Sequence, residues 1–272
     1  MHALSISRAW DESKAIIARD GQLYVSVALA LVALPMLVSG LVNPRGMVDS
    51  EIPAWVGLVS LAASLIAFAG ELAMIRLAIG PSITVGGAIG HGIRRMPIYI
   101  LAAVMLLAVF FIIAIPFATA LVAMGVPVTG KALPATPPVL VAVFLYGIIV
   151  IFIGVRMSLS AATASAEATG PFGVLKRSWQ LSYGNFWRLL GFLLVYFVAA
   201  LAIMIAISAA LGAVVALAFG AVTPMSMSAL ILALVHALMN AVLTGLLAIM
   251  LARIYVQLAG RGATDSGVPI TG

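Results

Sequence analysis

One face of the last apolar segment carries the side chains best suited to proton chemistry. His236, Asn240 and Thr244 follow one another at intervals of four residues, so they share a face of a helix. An imidazole titrates near neutral pH, and a proton-carrying role for His236 is one interpretation. No carboxylate or second histidine stands at ligand spacing from it, so we predict a packing role, in which small residues let helices approach. The small residues that flank this face are Ala233, Ala237, Ala241 and Ala248.

Glu71 is an acidic residue late in the second apolar segment. A charge at the centre of a bilayer costs about 2.5–3.5 kcal/mol on insertion scales, so Glu71 needs a partner. Three arginines stand at the ends of the even-numbered apolar segments, at similar depth: Arg76, Arg156 and Arg253. We predict that Glu71 forms an interhelical ion pair with an arginine of another segment, such as Arg156 or Arg253. A proton or cation relay is the alternative, but one carboxylate without a second acid makes a poor relay.

Signals for catalysis or cofactor binding are missing from the sequence. It has no cysteine, no HExxH motif, no nucleophile elbow and no pair of acids placed for general acid–base chemistry. The glycine-rich stretch "GGAIGHG" at 86–92 follows no strand and lacks the Lys-Ser/Thr ending of a phosphate loop. The sequence therefore predicts no enzyme, no cofactor and no metal site.

The composition places the chain in lipid. Of its 272 residues 64% are hydrophobic and only 8% are charged, whereas soluble domains carry roughly 25% charged residues. Six apolar runs reach the length of about 20 residues that a helix needs to cross a bilayer. They cover 23–42, 53–79, 97–124, 138–160, 186–219 and 225–258. The prediction is an all-α polytopic bundle of six transmembrane helices, with the first run retained as a span.

Lysine and arginine are distributed unequally between the connections. Arg45 and Lys131 stand on one side, and the other twelve of the fourteen basic residues stand on the opposite side. The twelve are Arg8, Lys14, Arg19, Arg76, Arg94, Arg95, Arg156, Lys176, Arg177, Arg188, Arg253 and Arg261. By the positive-inside rule, we predict that both termini and the loops between spans 2–3 and 4–5 lie in the cytoplasm, and that the protein is a multi-pass protein of a bacterial inner membrane.

A unit of about 85 residues recurs along the chain. "SRAW" at 7–10, "GHGI" at 90–93 and "KRSW" at 176–179 precede a span, and "MIRLA" at 74–78, "GVRMS" at 154–158 and "LARIY" at 251–255 end the next one. The interpretation is one membrane domain, 1–259, of three units at about 1–80, 81–168 and 169–259, followed by a flexible tail, 260–272. The alternative is that any protein with an even number of spans places arginines at cytoplasmic helix ends.

Each unit opens with a short amphipathic segment, which the spacing of its apolar residues predicts to be a helix in the membrane interface. Basic residues and tryptophans at headgroup depth favour anionic lipid. The candidate headgroup contacts are Arg94, Arg95, Lys176, Arg177, Trp179, Trp187 and Arg188. The alternative is that these helices only cap the bundle and set its topology.

The stretch "VLKRSWQLSYGNFWRLLGFLLVY" at 174–196 resembles the membrane domain attached to some bacterial glycerophosphoryl diester phosphodiesterases. It is also similar to the free-standing YciC-type inner-membrane proteins. The pattern of Arg-Ser-Trp followed by Gly-Asn-Phe-Trp is matched between Lys176 and Trp187, and more faintly over 79–107. The resemblance implies a six-span membrane domain. The acids, histidines and metal site of the phosphodiesterase have no counterpart positions here, so it implies no enzymatic activity.

Together these patterns predict a non-enzymatic membrane scaffold or accessory protein that engages anionic lipid at the cytoplasmic face. Membrane lipids are the expected partners, with a membrane protein or a second copy of the chain as a further possibility, and no nucleic acid. The alternative function is a transporter or channel for a small or amphiphilic solute. Its path would pass His236, Asn240 and Thr244, with Glu71 and the repeat arginines at the inner mouth. An intramembrane enzyme is a third hypothesis, which the lack of an acid–base pair disfavours.

Overall fold

The computed structural model describes residues 4–43, 53–80, 84–126, 134–220, 222–223 and 225–265, with side chains up to Gly260. This part of the chain is helical apart from short connections, and it contains no strand. The helices are α1 (Ile6–Ala28), α2 (Leu34–Val42), α3 (Ala54–Ile79), α4 (Val85–Ala123), α5 (Pro137–Met157), α6 (Ser160–Ala166), α7 (Pro171–Ser182), α8 (Phe186–Phe219) and α9 (Met227–Asp265). A five-residue π-helical turn, Leu29–Ala33, joins α1 to α2.

Six helical stretches in the described part are long and apolar enough to cross a membrane. They are Ile6–Val42, Ala54–Ile79, Val85–Ala123, Pro137–Ala166, Phe186–Phe219 and Met227–Gly260. The prediction of an all-α bundle with six spans is therefore confirmed, and the chain is a multi-pass membrane protein. Arg45 and Lys131, predicted to lie on the side opposite to the other basic residues, are outside the described residues.

Two of the three predicted short helices are not separate elements. The first continues through the π-helical turn into α2, and the second is the start of α4, which contains Pro97 and Pro116 in its interior. Only α7 stands alone, because the chain leaves the helical conformation at Tyr183 and Gly184 takes a φ of +78°. Similarly, α9 runs to Asp265, into the stretch predicted as a flexible tail, while 266–272 lie outside the described residues. The threefold repeat stays a prediction.

The tightest packing lies at one end of the bundle, where α1, α4 and α8 begin and α3 and α9 end; we call it the basic end. There Leu72, Ala73, Met74 and Ile75 of α3 are completely buried, each at 0% exposure. The short helix α6 sits among α3, α4, α7 and α9. Its small side chains allow that position, since residues such as Ala162 and Ser165 let several helices approach at once. Most of α8 and the outer part of α4 face outward instead.

Close helix approach depends on glycine at two places. A Cβ built on Gly92 of α4 would overlap the carbonyl oxygen of Ala69 in α3. A Cβ on Gly70 of α3 would lie 2.7 Å from the Cβ of Leu31 in the π-helical turn. Because both obstacles are on or next to the backbone, the helices themselves would have to separate to admit a side chain.

We therefore expect Gly92→Ala to destabilise the protein by about 1–3 kcal/mol, as overpacking of a filled interface does. The matched control is Gly90→Ala, two residues earlier on α4, where an added Cβ meets no atom within 4 Å. That change should leave stability unchanged or raise it slightly, because alanine is the better helix former. The midpoint of thermal unfolding in mild detergent, followed by intrinsic fluorescence, compares them. Equal tolerance of the two alanines would contradict the close α3–α4 contact.

Candidate functional site

Arg253 joins three helices at the basic end. Its Nε and Nη2 lie 2.8 and 2.7 Å from Oε2 of Glu12 in α1, and its Nη1 donates to the carbonyl oxygen of Ala78 at the end of α3. Arg8, one turn before Glu12, donates to the other carboxylate oxygen at 2.8 Å. The Arg253 and Glu12 side chains are only 22% and 24% exposed, so their ion pair is shielded from water more than a surface pair is.

A second polar cluster surrounds Glu167, in the turn between α6 and α7. Arg177 of α7 donates to Glu167 Oε1 from its Nε at 2.8 Å, and the hydroxyl of Tyr255 in α9 donates to the same oxygen at 2.8 Å. The carboxylate therefore ties α7 to α9. Charge-assisted bonds of this kind are stronger than bonds between neutral groups.

The start of the chain is held by side chains from α8 and α9. The backbone N–H of Leu4 donates to Asn185 Oδ1, and the Leu4 carbonyl accepts from Arg188 Nη1, both at 3.2 Å. The N–H of Ser5 donates to Gln257 Oε1. These bonds fix the N-terminal segment beside the first turn of α8.

Arg156, at the end of α5, lies in a cage of aromatic rings. Its guanidinium carbon is 5.1–5.8 Å from four ring centroids, within the range of cation–π attraction. The rings belong to Phe152, Trp179, Tyr183 and Phe186. Its Nε and Nη1 are buried and have no hydrogen-bond acceptor among the described residues. Its carbonyl oxygen accepts from the hydroxyls of Ser178 and Ser182, which adds a backbone link from α5 to α7.

The predicted ion pair between Glu71 and Arg156 or Arg253 is wrong. Arg253 pairs with Glu12 and Arg156 lies among aromatic rings, so neither is left for Glu71. Glu71 is instead half-buried, and the ion pairs of the described residues do not include it. Arg76 lies over the end of its own helix, where its guanidinium carbon is 3.7 Å from the position that a Cβ on Gly80 would take.

The seven candidate headgroup contacts divide into two groups. Arg94, Lys176 and Arg188 are exposed, and Trp187 is 78% exposed. The others are occupied or less accessible. Arg177 is bound to Glu167, Trp179 packs on Arg156, and Arg95 is half-buried. The exposed group presents positive charge and indole surface at the same end of the bundle.

The polar face of α9 borders a pocket of about 320 Å³ toward the opposite end. His236 and Asn240 line it together with Ser39 and Gly40 of α2 and Met204 of α8. Outside this lining set, Ser208 of α8 is 2.8 Å from His236 Nε2, and Thr244 donates to Asn240 Oδ1 at 3.2 Å. The pocket does not include Glu71, Arg76, Arg156 or Arg253. The seven residues predicted as one intramembrane network are therefore separated into this pocket and the contacts of the basic end.

The predicted packing role of the α9 alanines is supported, since all four are buried. Their exposed fractions are 7% for Ala233, 2% for Ala237, 3% for Ala241 and 1% for Ala248. The polar side chains on the same helix also bond to a neighbouring helix, as His236 does with Ser208. Both observations agree with helix association through small residues and interhelical hydrogen bonds.

Several partners in these contacts were missed by reasoning from the sequence. Glu12 stands four residues after Arg8, a spacing that brings both to one helix face, and this was the signal available for it. Glu167 and Tyr255 carry no such local signal, because their partners come from other helices. Ser208 likewise stands alone in a long apolar run.

In the described ranges no three His, Asp or Glu side chains converge in a way that could hold a metal ion. A family model described as "Domain of unknown function (DUF7847)" matches residues 4–258, nearly the whole chain. No curated protein and no solved structure matches the chain.

The Glu12–Arg253 pair should contribute measurably to stability. We expect Glu12→Gln and Arg253→Gln, separately and together, to give a coupling energy of about 1.5–3 kcal/mol, the range for hydrogen bonds to charged groups. The matched control is the Asp11–Lys14 pair in α1, whose side chains are 68% and 57% exposed. Its coupling should be at most about 1 kcal/mol. Thermal unfolding in detergent supplies the four free energies, and equal coupling for both pairs would contradict a structural role for Arg253.

Proposed function

The chain belongs to the family described as domain of unknown function DUF7847, and from that premise we propose that it is a non-enzymatic membrane protein that engages anionic lipid at its basic end. The observation that carries the proposal is the exposure there of Arg94, Lys176, Trp187 and Arg188. In the described chain neither Arg94 nor Lys176 has an acidic partner within ion-pair distance. Positive charge without an internal counter-ion is suited to anionic headgroups.

The location that fits this proposal is the inner membrane of a bacterium, with the basic end in the cytoplasm. The positive-inside rule assigns loops rich in lysine and arginine to the cytoplasm. Arg253, Glu167 and Arg188 make their contacts at the basic end. The charge pattern of the sequence assigns twelve of the fourteen basic residues to that same side of the membrane. The cytoplasmic leaflet also carries the negative surface potential that attracts such residues.

A role in building or supporting a membrane assembly agrees with the rigid contacts of the basic end. The ion pairs of Glu12 and Glu167 and the aromatic cage of Arg156 hold the α1, α7 and α9 ends in fixed positions. The chain resembles the membrane domains of glycerophosphoryl diester phosphodiesterases and the YciC-type proteins. That resemblance supports a non-enzymatic role, because the catalytic residues of the phosphodiesterase have no counterpart positions here.

A second candidate function is the movement of an amphiphilic solute across the bilayer. The observation that favours it is the pocket beside His236 and Asn240, which places hydrogen-bonding groups inside a span. Polar groups at membrane depth are expensive to maintain and are often found on solute paths. The pocket borders α8, most of whose residues are not buried by the other helices.

For lipid engagement, we expect the double variant Arg94→Gln, Lys176→Gln to lose preference for anionic lipid. At about 1 kcal/mol per surface charge, its association constant for phosphatidylglycerol relative to phosphatidylcholine should fall roughly 30-fold at low salt. Quenching of protein tryptophan fluorescence by brominated phosphatidylglycerol, diluted into phosphatidylcholine, measures that ratio in proteoliposomes. Raising the salt concentration should have the same effect on the wild type.

The matched control is Arg45→Gln, Lys131→Gln, which removes the same net charge from the residues predicted to lie on the other side of the membrane. It should keep the wild-type preference for lipid placed in the leaflet at the basic end. A wild-type ratio that responds neither to Arg94 and Lys176 nor to salt would refute the proposed function.

For the second candidate, the test is transbilayer movement of a fluorescent nitrobenzoxadiazole-labelled phosphatidylglycerol in proteoliposomes, read by dithionite reduction. Asn240→Leu should slow it by at least about tenfold, because leucine removes the amide from the pocket and leaves no replacement hydrogen bond. Leu238→Ala, at a position of the same helix that is 40% exposed and outside the pocket, is the control and should transport normally. Wild-type vesicles no faster than empty ones would end this candidate.

A further inference from the structure

A long groove runs along the outside of the bundle, lined by α8 and α9 and, at the basic end, by the first turns of α1. Both α1 and α8 pack on α9, and the groove has a volume of about 770 Å³. Its floor is formed by Leu243, Leu246 and Met250 of α9. The groove is distinct from the pocket beside His236, with which it shares no lining residue.

One face of α8 forms the wall of the groove. Its lining residues recur about every four positions, which is the spacing of a single helical stripe. They are Trp187, Arg188, Gly191, Phe192, Val195, Tyr196, Ala199, Ala200 and Ile203. Gly191, Ala199 and Ala200 are small, so the wall is indented where a larger residue would fill it. The hydroxyl of Tyr196 donates to the Leu243 carbonyl at 2.6 Å, so this wall holds no unpaired hydroxyl.

The groove is long enough to span one leaflet. Arg188 and Ile203 are fifteen residues apart, which corresponds to about 22 Å along a helix at 1.5 Å per residue. Half of a hydrocarbon core of about 30 Å is roughly 15 Å. The groove therefore covers the full depth of one leaflet, starting from the basic end.

The two ends of the groove differ in chemistry. At the basic end stand Ser7, Trp10, Asp11, Trp187 and Arg188, and beyond them the lining of α8 is apolar apart from the paired Tyr196 hydroxyl. The carboxylate of Asp11 forms an exposed ion pair with Lys14 at 2.8 Å. Arg188 has no carboxylate partner in the described structure, and one of its nitrogens donates to a backbone carbonyl. Arg188 and the indoles of Trp10 and Trp187 thus stand at the mouth of an otherwise apolar groove. An anionic headgroup could bind at the cation while its acyl chain lies in the apolar part.

We propose that this groove binds one anionic phospholipid, with an acyl chain lying along α8 and the phosphate at Arg188. The assignment rests on the proposed engagement of anionic lipid and names the site for one molecule of it. Burial of the acyl chain in the groove adds a hydrophobic contribution to the binding free energy that salt does not screen. The bound lipid is therefore retained under conditions in which lipids held only by surface charge exchange freely.

The test uses the full-length protein, delipidated in detergent and titrated with phosphatidylglycerol, with bound lipid counted by native mass spectrometry. Gly191→Leu should reduce the occupancy of the retained lipid by at least about tenfold, because leucine takes the volume that the chain needs. An added Cβ at Gly191 meets no atom within 4 Å, so the variant should fold normally. Gly212→Leu on the same helix is equally unobstructed and lies outside the groove, and it should retain the lipid.

A separate pair of variants tests whether Arg188 binds the headgroup. Arg188→Gln should lower the preference for phosphatidylglycerol over phosphatidylcholine in the retained lipid, whereas Arg188→Lys should keep part of it. Equal lipid retention by the Gly191→Leu and Gly212→Leu proteins would overturn the groove site, even if the Arg94 and Lys176 variant confirms anionic-lipid engagement. The groove site would also be overturned by a wild-type dimer that retains no lipid and that Gly191→Leu dissociates. Failure of the proposed function has a different signature, since bilayer lipid preference would then ignore charge and salt.

Discussion

The fold depends on the cost of placing charge in hydrocarbon. Ionisable side chains in a bilayer need partners or a route to water, and this chain meets the requirement by gathering arginines at one end and binding them there. Arg253 is bound to Glu12 and Ala78, Arg177 to Glu167, and Arg188 to the Leu4 carbonyl. Because these contacts link helix ends to one another or to the segments beside them, the same requirement that sets the topology also holds the helix ends together. The buried core around Leu72 and α6 lies at the same end for that reason.

The opposite half of the bundle is organised differently. Lipid tails are as apolar as leucine, so helices there gain little from burying hydrophobic side chains against one another. Association then relies on small residues, as at Gly40, where an added Cβ would lie 3.0 Å from the Cβ of Ala233. Helix α8 has few such contacts. Between Leu193 and Val215 none of its residues is buried, and both the groove and the His236 pocket border it. Two of the spaces that a ligand could occupy, the groove and the His236 pocket, thus lie along a long helix that is little buried by its neighbours.

Properties that depend on sequence pattern were predictable, and those that depend on tertiary neighbours were not. Apolar length and the absence of turn residues determined the six spans, and the buried alanines followed from their spacing on α9. The separation of α7 from α8 depends on Gly184 in a left-handed conformation, whereas Pro97 continues α4. A proline or glycine in a sequence does not reveal which outcome it will have, because neighbouring helices supply the contacts that decide it. The groove could not be predicted either, since α8, α9 and the first turns of α1 form it only when they come together in the fold.

The three arginines that suggested an internal repeat show why partners resist prediction from repeat position. Arg76 lies over Gly80, Arg156 is surrounded by aromatic rings, and Arg253 is bound to Glu12. Positive charge at a helix end is favoured by topology, but how that charge is accommodated depends on the groups that the fold brings near it. For Arg253 these include a carboxylate, and for Arg156 an aromatic cage. Copies of a unit can therefore keep the arginine and change everything around it. Similar depth in the membrane is therefore not enough to identify the partner of a charged residue, which is why the ion pair predicted for Glu71 was wrong.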